Sequence, residues 1–173
     1  LLKDGTRCDD GDNCNISYDS ITGVLTANVI GFSNYTTQNT AIEIDDCVEL
    51  NQSTTYELNK SITSSGTCFQ IANNSVTLDC KGFTINYTST GYGVDNQNGY
   101  NNTIIKNCNI VQGDTSSSRY GIYDKYSINT TVFDSNVTTG GSSANGIYLR
   151  YSLNTNITNS IIRTTGSSAY GIY

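Results

Sequence analysis

The sequence predicts an all-β protein built as a parallel β-helix, a solenoid of about 25–28 residues per coil, and three observations carry that prediction. The tetrads Tyr120-Gly121-Ile122-Tyr123, Asn145-Gly146-Ile147-Tyr148 and Tyr170-Gly171-Ile172-Tyr173 recur at intervals of 25 residues. Behind the first two, like residues follow at like offsets: Tyr126-Ser127 and Tyr151-Ser152, Asn129-Thr130 and Asn154-Thr155, Val132 and Ile157, Asp134 and Asn159, Val137 and Ile162. The recurring apolar residues are Ile and Val in short runs, with no i, i+3, i+4, i+7 pattern and no proline among 173 residues. That excludes a leucine-rich repeat with its helices and suits strands paired on both sides, where a proline would delete a ladder hydrogen bond.

Residues 1–40 lack the repeat. Leu1 to Asn15 is polar, and Tyr18 to Tyr35 contains alternating apolar positions that read as one or two strands. An open solenoid exposes unpaired strands at its ends, so residues 1–40 are expected to form an N-terminal cap and 41–173 the coils. Backward from the tetrads, Gly93 precedes Gly121 by 28 residues, the extra length falling in Asp114-Thr115-Ser116-Ser117-Ser118. Asn102 to Ile110 aligns with Asn129 to Val137 residue for residue, and Asn74 to Ile85 has the same order of parts with two residues more. Within a coil side chains alternate, so Ile147 and Leu149 should face the bore while Tyr148 and Arg150 face water. Coils about 4.8 Å apart would stack Ile122 on Ile147 and Ile172, Val132 on Ile157, and Val137 on Ile162. The recurring polar position Asn107, Asp134, Asn159 is expected at a corner, where short polar side chains tolerate left-handed backbone.

The residues Gly146-Ile147-Tyr148-Leu149 with Asn154 to Ile162, Gly121 to Val137, and Asn73 to Cys80 resemble the right-handed parallel β-helix proteins of the pectate-lyase-like type, in particular secreted microbial ones with short Asn-rich coils. The resemblance covers residues 68–173 and fades over 41–67. It implies a right-handed winding and a secreted protein. It does not imply a chemistry, because that fold carries lyases, hydrolases, esterases, phage spikes and plain surface proteins.

Six cysteines, Cys8, Cys14, Cys47, Cys68, Cys80 and Cys108, occur with no histidine and no C-x-x-C pair, which removes the usual zinc and redox motifs. Disulfides are the expected state, and an oxidising, extracellular location goes with them. Of fifteen possible pairings, Cys8–Cys14, Cys47–Cys68 and Cys80–Cys108 are favoured, the last because it would join adjacent coils; free buried thiols are the alternative. Asn-x-Ser/Thr occurs ten times among 22 asparagines, at Asn15, Asn34, Asn51, Asn59, Asn73, Asn86, Asn101, Asn129, Asn136 and Asn156. Asn73, Asn101 and Asn129 fall near one corner of successive coils, which predicts a row of N-glycans along an edge; Asn-rich turns beside Thr-rich strands also produce the motif without any glycan.

An enzyme on this scaffold needs clustered carboxylates with a basic partner. Asp79, Asp95, Asp114, Asp124 and Asp134 scatter over faces and corners, Asp9-Asp10-Gly11-Asp12 lacks the length and closing Glu of a calcium loop, and no histidine is present to carry protons. No catalytic, cofactor or metal site is therefore expected. Tyr123, Tyr148 and Tyr173 should form one outward column and Tyr126 and Tyr151 another; such columns could stack on a polysaccharide or could simply cover the sheet. A formal charge of −6 opposes nucleic-acid binding, and no apolar run is long enough to span a membrane. Leu1-Leu2-Lys3 is no signal peptide, so a secreted chain is expected to have lost one. The sequence ends four residues into a new coil at Tyr173, which implies either a longer protein or a second copy covering the open coil, and repeated head-to-tail contact would make a fibre. The expected function is thus that of an extracellular, N-glycosylated structural protein that forms or decorates a surface fibre with copies of itself, the alternatives being a carbohydrate-binding adhesin and a polysaccharide lyase or hydrolase.

Overall fold

A computed structural model describes residues 2–3, 6–7, 14–19, 24–29, 35–36, 41–88, 90–115 and 119–173, with side-chain detail from residue 41 onward. The chain divides into two compact units, Leu1–Thr40 and Ala41–Tyr173. In the first, β1 (Leu2–Lys3) lies between β2 (Thr6–Arg7) and β5 (Tyr35–Thr36), while β3 (Cys14–Asp19) and β4 (Val24–Val29) form an antiparallel hairpin in register Cys14↔Val29 to Asp19↔Val24. Of the strands expected between Tyr18 and Tyr35, β4 lies within that span, whereas its partner β3 begins earlier, at Cys14. Cys8, Asn34 and the run Asp9 to Asp12 lie outside the described residues, and the side chains of Cys14 and Asn15 are not described.

The second unit is the solenoid. Its strands follow in chain order as β6 (Ile42–Ile44), β7 (Glu49–Leu50), β8 (Thr55–Leu58), β9 (Ile62–Ser64), β10 (Phe69–Ile71), β11 (Thr77–Asp79), β12 (Thr84–Tyr87), β13 (Val94–Asn96), β14 (Ile104–Lys106), β15 (Asn109–Gln112), β16 (Ile122–Lys125), β17 (Thr131–Phe133), β18 (Asn136–Thr139), β19 (Ile147–Arg150), β20 (Asn156–Thr158) and β21 (Ile161–Thr164). From β7 on, each strand pairs in parallel with the third strand after it, and β6 pairs in parallel with β8, which gives three sheets: β7-β10-β13-β16-β19, β6-β8-β11-β14-β17-β20 and β9-β12-β15-β18-β21. We call them sheets one, two and three. A strand pairs with the one a full coil away because neither neighbour in sequence can bury its apolar face alone.

Register confirms the columns read from the sequence. Ile122 pairs with Ile147 and Ile147 with Ile172 in sheet one, Leu78, Ile105, Val132 and Ile157 align in sheet two, and Ile85, Ile110, Val137 and Ile162 align in sheet three. Most of these side chains are fully buried and belong to one core with Leu50, Phe69, Ile71, Val94 and Tyr87. Residues 41–67, where the sequence match fades, belong to the same stack through β6 to β9.

The two extra residues between Leu78 and Ile85 are absorbed at one corner. Lys81 and Gly82 adopt φ of 51° and 85°, the N–H of Gly82 donates to the carbonyl of Asn107, and the N–H of Asn109 donates to the carbonyl of Phe83, so the strands on either side keep their registers. Two disulfides brace the coils, Cys47–Cys68 with Cα atoms 4.5 Å apart and Cys80–Cys108 at 4.7 Å. Both are pairings expected from the sequence, and both join chain segments one coil apart, where the rung spacing of a parallel stack already lies in disulfide range.

Candidate functional site

The outer face of sheet one is lined with tyrosines. Ile122 and Asp124 of β16 point inward, so Tyr123 and Lys125 point outward, in register with Tyr148 and Arg150. A second set arises from the residue that enters each strand: Tyr92, Tyr120 and Tyr170 each precede a glycine that lets the corner pass close to the stack. Gly121 shows why glycine is needed there, since a Cβ would lie inside contact distance of Val137 Cγ1 and 2.7 Å from the carbonyl oxygen of Gly146. In the coil between, Asn145 holds the tyrosine position, is buried, and accepts the N–H of Tyr170 at 2.8 Å. Tyr148 then stacks on Tyr120 with ring centroids 4.4 Å apart and planes 6° from parallel.

The rings make one connected array. Tyr92 stacks on Tyr120 at 5.8 Å and Tyr148 on Tyr173 at 5.1 Å, while Tyr123 sits edge-on to Tyr120 and Tyr148 at 5.5 Å each. Tyr170 closes on Tyr173 at 5.5 Å. Burial raises the phenol pKa values of Tyr120 and Tyr123. Cations flank the array: the Arg119 guanidinium lies over Tyr92, 5.4 Å from its centroid, and donates from Nη1 to its hydroxyl at 3.0 Å. Beyond it, Tyr126 and Tyr151 stack at 5.4 Å with Lys125 and Arg150 over their rings. The expected columns Tyr123–Tyr148–Tyr173 and Tyr126–Tyr151 are therefore present: Tyr148 and Tyr173, and Tyr126 and Tyr151, stack face to face, while Tyr123 meets Tyr148 edge-on. Sequence reasoning missed Tyr92, Tyr120 and Tyr170, although their place before Gly93, Gly121 and Gly171 was a signal.

The corners are held by amides. Between sheets one and two, Asn102, Asn129 and Asn154 occupy equivalent left-handed positions, with Asn129 Nδ2 donating to Asn102 Oδ1 at 3.0 Å and Asn154 Nδ2 to Asn129 Oδ1 at 3.3 Å. Between sheets two and three, Asn107, Asp134 and Asn159 are left-handed at φ of 53°, 49° and 47°, as their recurrence predicts. Four Asn-x-Ser/Thr asparagines, Asn51, Asn73, Asn101 and Asn129, line the first of these corners on successive coils. Asn51, Asn59, Asn129, Asn136 and Asn156 are exposed, and Asn73, Asn86 and Asn101 are half-buried. Their amide nitrogens differ. Asn73 Nδ2 donates to the Asn51 carbonyl and Asn136 Nδ2 to Asn109 Oδ1, whereas the Asn101 side chain, among the described residues, bonds only through its oxygen, which accepts the N–H of Ile128.

The carboxylates named from sequence do not gather. Asp95 lies on the outer face of sheet one beside Tyr123, and Asp124 on its inner face beside Asn96. Burial raises the pKa of Asp95 against an opposing hydrogen bond from the Gln97 N–H. Asp124 is 1% exposed, and accepts Asn96 Nδ2 at 2.8 Å and Ser127 Oγ at 2.6 Å. Ser127 in turn meets Thr130 at 3.0 Å. One coil on, Leu149 replaces Asp124, and the hydroxyls of Ser152 and Thr155, which repeat Ser127 and Thr130, have no hydrogen-bond partner among the described residues. Asp79 lies on sheet two with Lys106 at 3.2 Å and Lys81 at 3.9 Å. Its burial pushes the pKa up, but hydrogen bonds from Asn107 Nδ2 and the Lys81 N–H, with Lys106 beside it, bring the net value below the ordinary one. Asp134 stands exposed at its corner. Among the described residues, no group of three or more His, Cys, Asp or Glu gathers as metal ligands.

No family model, no curated protein and no solved structure matches this chain.

Proposed function

We propose that this chain is an extracellular structural protein, an N-glycosylated, right-handed β-solenoid that forms or decorates a surface fibre through head-to-tail contact between copies, with residues 1–40 as its cap. The observation that carries the reading is how the surface side chains are used. Asn107 reaches Asp79, Asn129 reaches Asn102, Asn136 reaches Asn109, and Tyr148 reaches Tyr120, so the residues that look functional in sequence are bonded to the neighbouring coil. That pattern stiffens a stack along its axis. Two inter-coil disulfides suit an oxidising compartment. Asn51, Asn59, Asn101 and Asn156 have no hydrogen bond made through Nδ2 among the described residues, and they are the favoured glycan carriers. Secretion from a glycosylating host, followed by glycopeptide mass spectrometry and electron microscopy, tests the reading. Glycan on these asparagines and filaments at high concentration are the expected result; an unglycosylated protein that stays monomeric overturns it.

A second reading, an adhesin for polysaccharide, is favoured by Tyr126 and Tyr151. They are 55% and 67% exposed beside Lys125 and Arg150, a set of hydroxyls and cations suited to hydrogen-bonding a sugar polymer. Retardation in polysaccharide-containing gels that Tyr151→Ala weakens would support it, and equal mobility with and without polysaccharide would remove it.

A further inference from the structure

One-electron oxidants acting on this chain have few places to go. It contains no Trp, Met or His, and its 13 tyrosines are the most readily oxidised side chains left once cysteines are paired. Among the described residues no cysteine is free. Six tyrosines, Tyr92, Tyr120, Tyr123, Tyr148, Tyr170 and Tyr173, touch in one array whose successive centroids are 4.4 to 5.8 Å apart. Tyr170 and Tyr173 are 58% and 60% exposed and give an oxidant access, while Tyr120 and Tyr148 are half-buried and stack with nearly parallel planes at the shortest separation of the array.

We propose that Tyr120 and Tyr148 are a site of oxidative cross-linking, joined as dityrosine by an extracellular peroxidase using hydrogen peroxide. Each phenol loses one electron to the oxidant and one proton to water, leaving two phenoxyl radicals. These couple through a new carbon–carbon bond between ring positions ortho to the hydroxyls, and the two displaced ortho hydrogens move to the oxygens and restore both rings. Two hydrogen atoms leave the protein in all, and one hydrogen peroxide becomes two waters. The bond would strap coils 28 residues apart in sequence, as Cys80–Cys108 does, but would resist reducing agents. The chemistry depends on the two rings being held together before oxidation, which makes coupling effectively unimolecular.

The test uses the 173-residue chain with a purified peroxidase and hydrogen peroxide. The monomer band is digested and searched for a cross-linked peptide pair lacking two hydrogens. The expected result is that Tyr120 and Tyr148 form the dominant intramolecular pair, that Tyr148→Phe abolishes it while Tyr126→Phe does not, and that its yield falls on the order of tenfold in urea. Circular dichroism of Tyr148→Phe guards against misfolding, and Tyr120→Phe supplies a second variant should the first unfold. A dominant Tyr126–Tyr151 product, coupling only between chains, no dityrosine, or equal yield in urea each overturns the assignment.

Discussion

Ten described non-glycine residues hold positive φ, and five of them are asparagine. From Ser75 onward, the corners between sheets one and two and between sheets two and three turn through a left-handed residue, and asparagine does so with a side chain that can bond one rung away. Asn129 makes two such bonds at φ 62°. Asn129→Ala should therefore lower stability by about 1–2 kcal/mol, mostly through the left-handed backbone, whereas Asn129→Gly should cost less because glycine has no Cβ to strain. Urea midpoints of the two variants decide it; an alanine variant as stable as the glycine one would show that the corner carries no strain. The same demand enriches the chain in asparagine at turns, so part of the Asn-x-Ser/Thr excess follows from backbone geometry. Tyr126 and Tyr151 at φ of 60° and 57° are different, since a bulky residue gains nothing from that region. Two tyrosines kept there in register speak for a use of their rings. The acidic residues give a pH dependence of opposite signs. Asp79 has a folded pKa below its ordinary 3.8, so its contribution is present above that value and is lost as pH falls through the folded pKa. Asp95 has a raised one, so the fold favours its neutral form and loses stability as pH rises from 3.8 through the folded value. Asp95→Asn should stabilise the protein at neutral pH and change nothing below the ordinary carboxylate range. Denaturation curves at both pH values check this, and an unaltered neutral midpoint would contradict it.

A coil is closed by close approach as much as by its core. Gly93, Gly121 and Gly146 each lie where an added Cβ would collide with the apolar side chain of sheet three below and with the carbonyl of the next glycine in the column. Gly121→Ala should cost about 1–3 kcal/mol by overpacking, and Gly82→Ala, where nothing lies within 4 Å of a Cβ, should cost only its left-handed strain. Thermal unfolding of both separates crowding from backbone strain; equal losses would refute the packing account. This glycine column is what made the repeat readable. The Ile and Val columns, the corner asparagines and two disulfide pairings were equally legible, because a stacked architecture repeats each physical demand at a fixed sequence interval. Tyr92 and Tyr120 were not read as part of the aromatic face, since their place in the array depends on Asn145 standing where a tyrosine would and on Tyr148 taking up that space. The Asp124–Asn96–Ser127 network was invisible for a related reason. It joins one pair of coils only, and Leu149 breaks the column in the next. Leu149 also leaves Ser152 and Thr155 without partners among the described residues, so a feature present once carries no periodic trace.

The solenoid unit as a whole should behave as a one-dimensional stack in which each coil meets only its neighbours. That makes one deletion benign that would ruin an ordinary globular core. Removing residues 122–146 joins Gly121 to Ile147, the same Gly-Ile step found at Gly146-Ile147, and it leaves Val94 facing Ile147, Ile105 facing Ile157 and Ile110 facing Ile162. The three apolar columns stay continuous, and Asn96, which comes to face Leu149, keeps its hydrogen bonds with the backbone of Tyr100. The Asn96–Asp124 pair is lost, and with it a polar column that the next coil already lacks. The shortened chain should fold cooperatively with an unchanged β signature, and its denaturant m-value should fall by roughly one fifth, since sheet one goes from five strands to four. Removing residues 122–134 instead, about half a coil, joins Gly121 to Ser135, so that β18 follows Gly121 in the place of a sheet-one strand and β17 is lost from sheet two; the stack is broken there and the chain should not fold. Circular dichroism and urea titration of the two deletions distinguish the cases. If both fold, or neither does, coils are not the units that determine stability, and a model in which equivalent side chains of neighbouring coils build one continuous core would have to be given up.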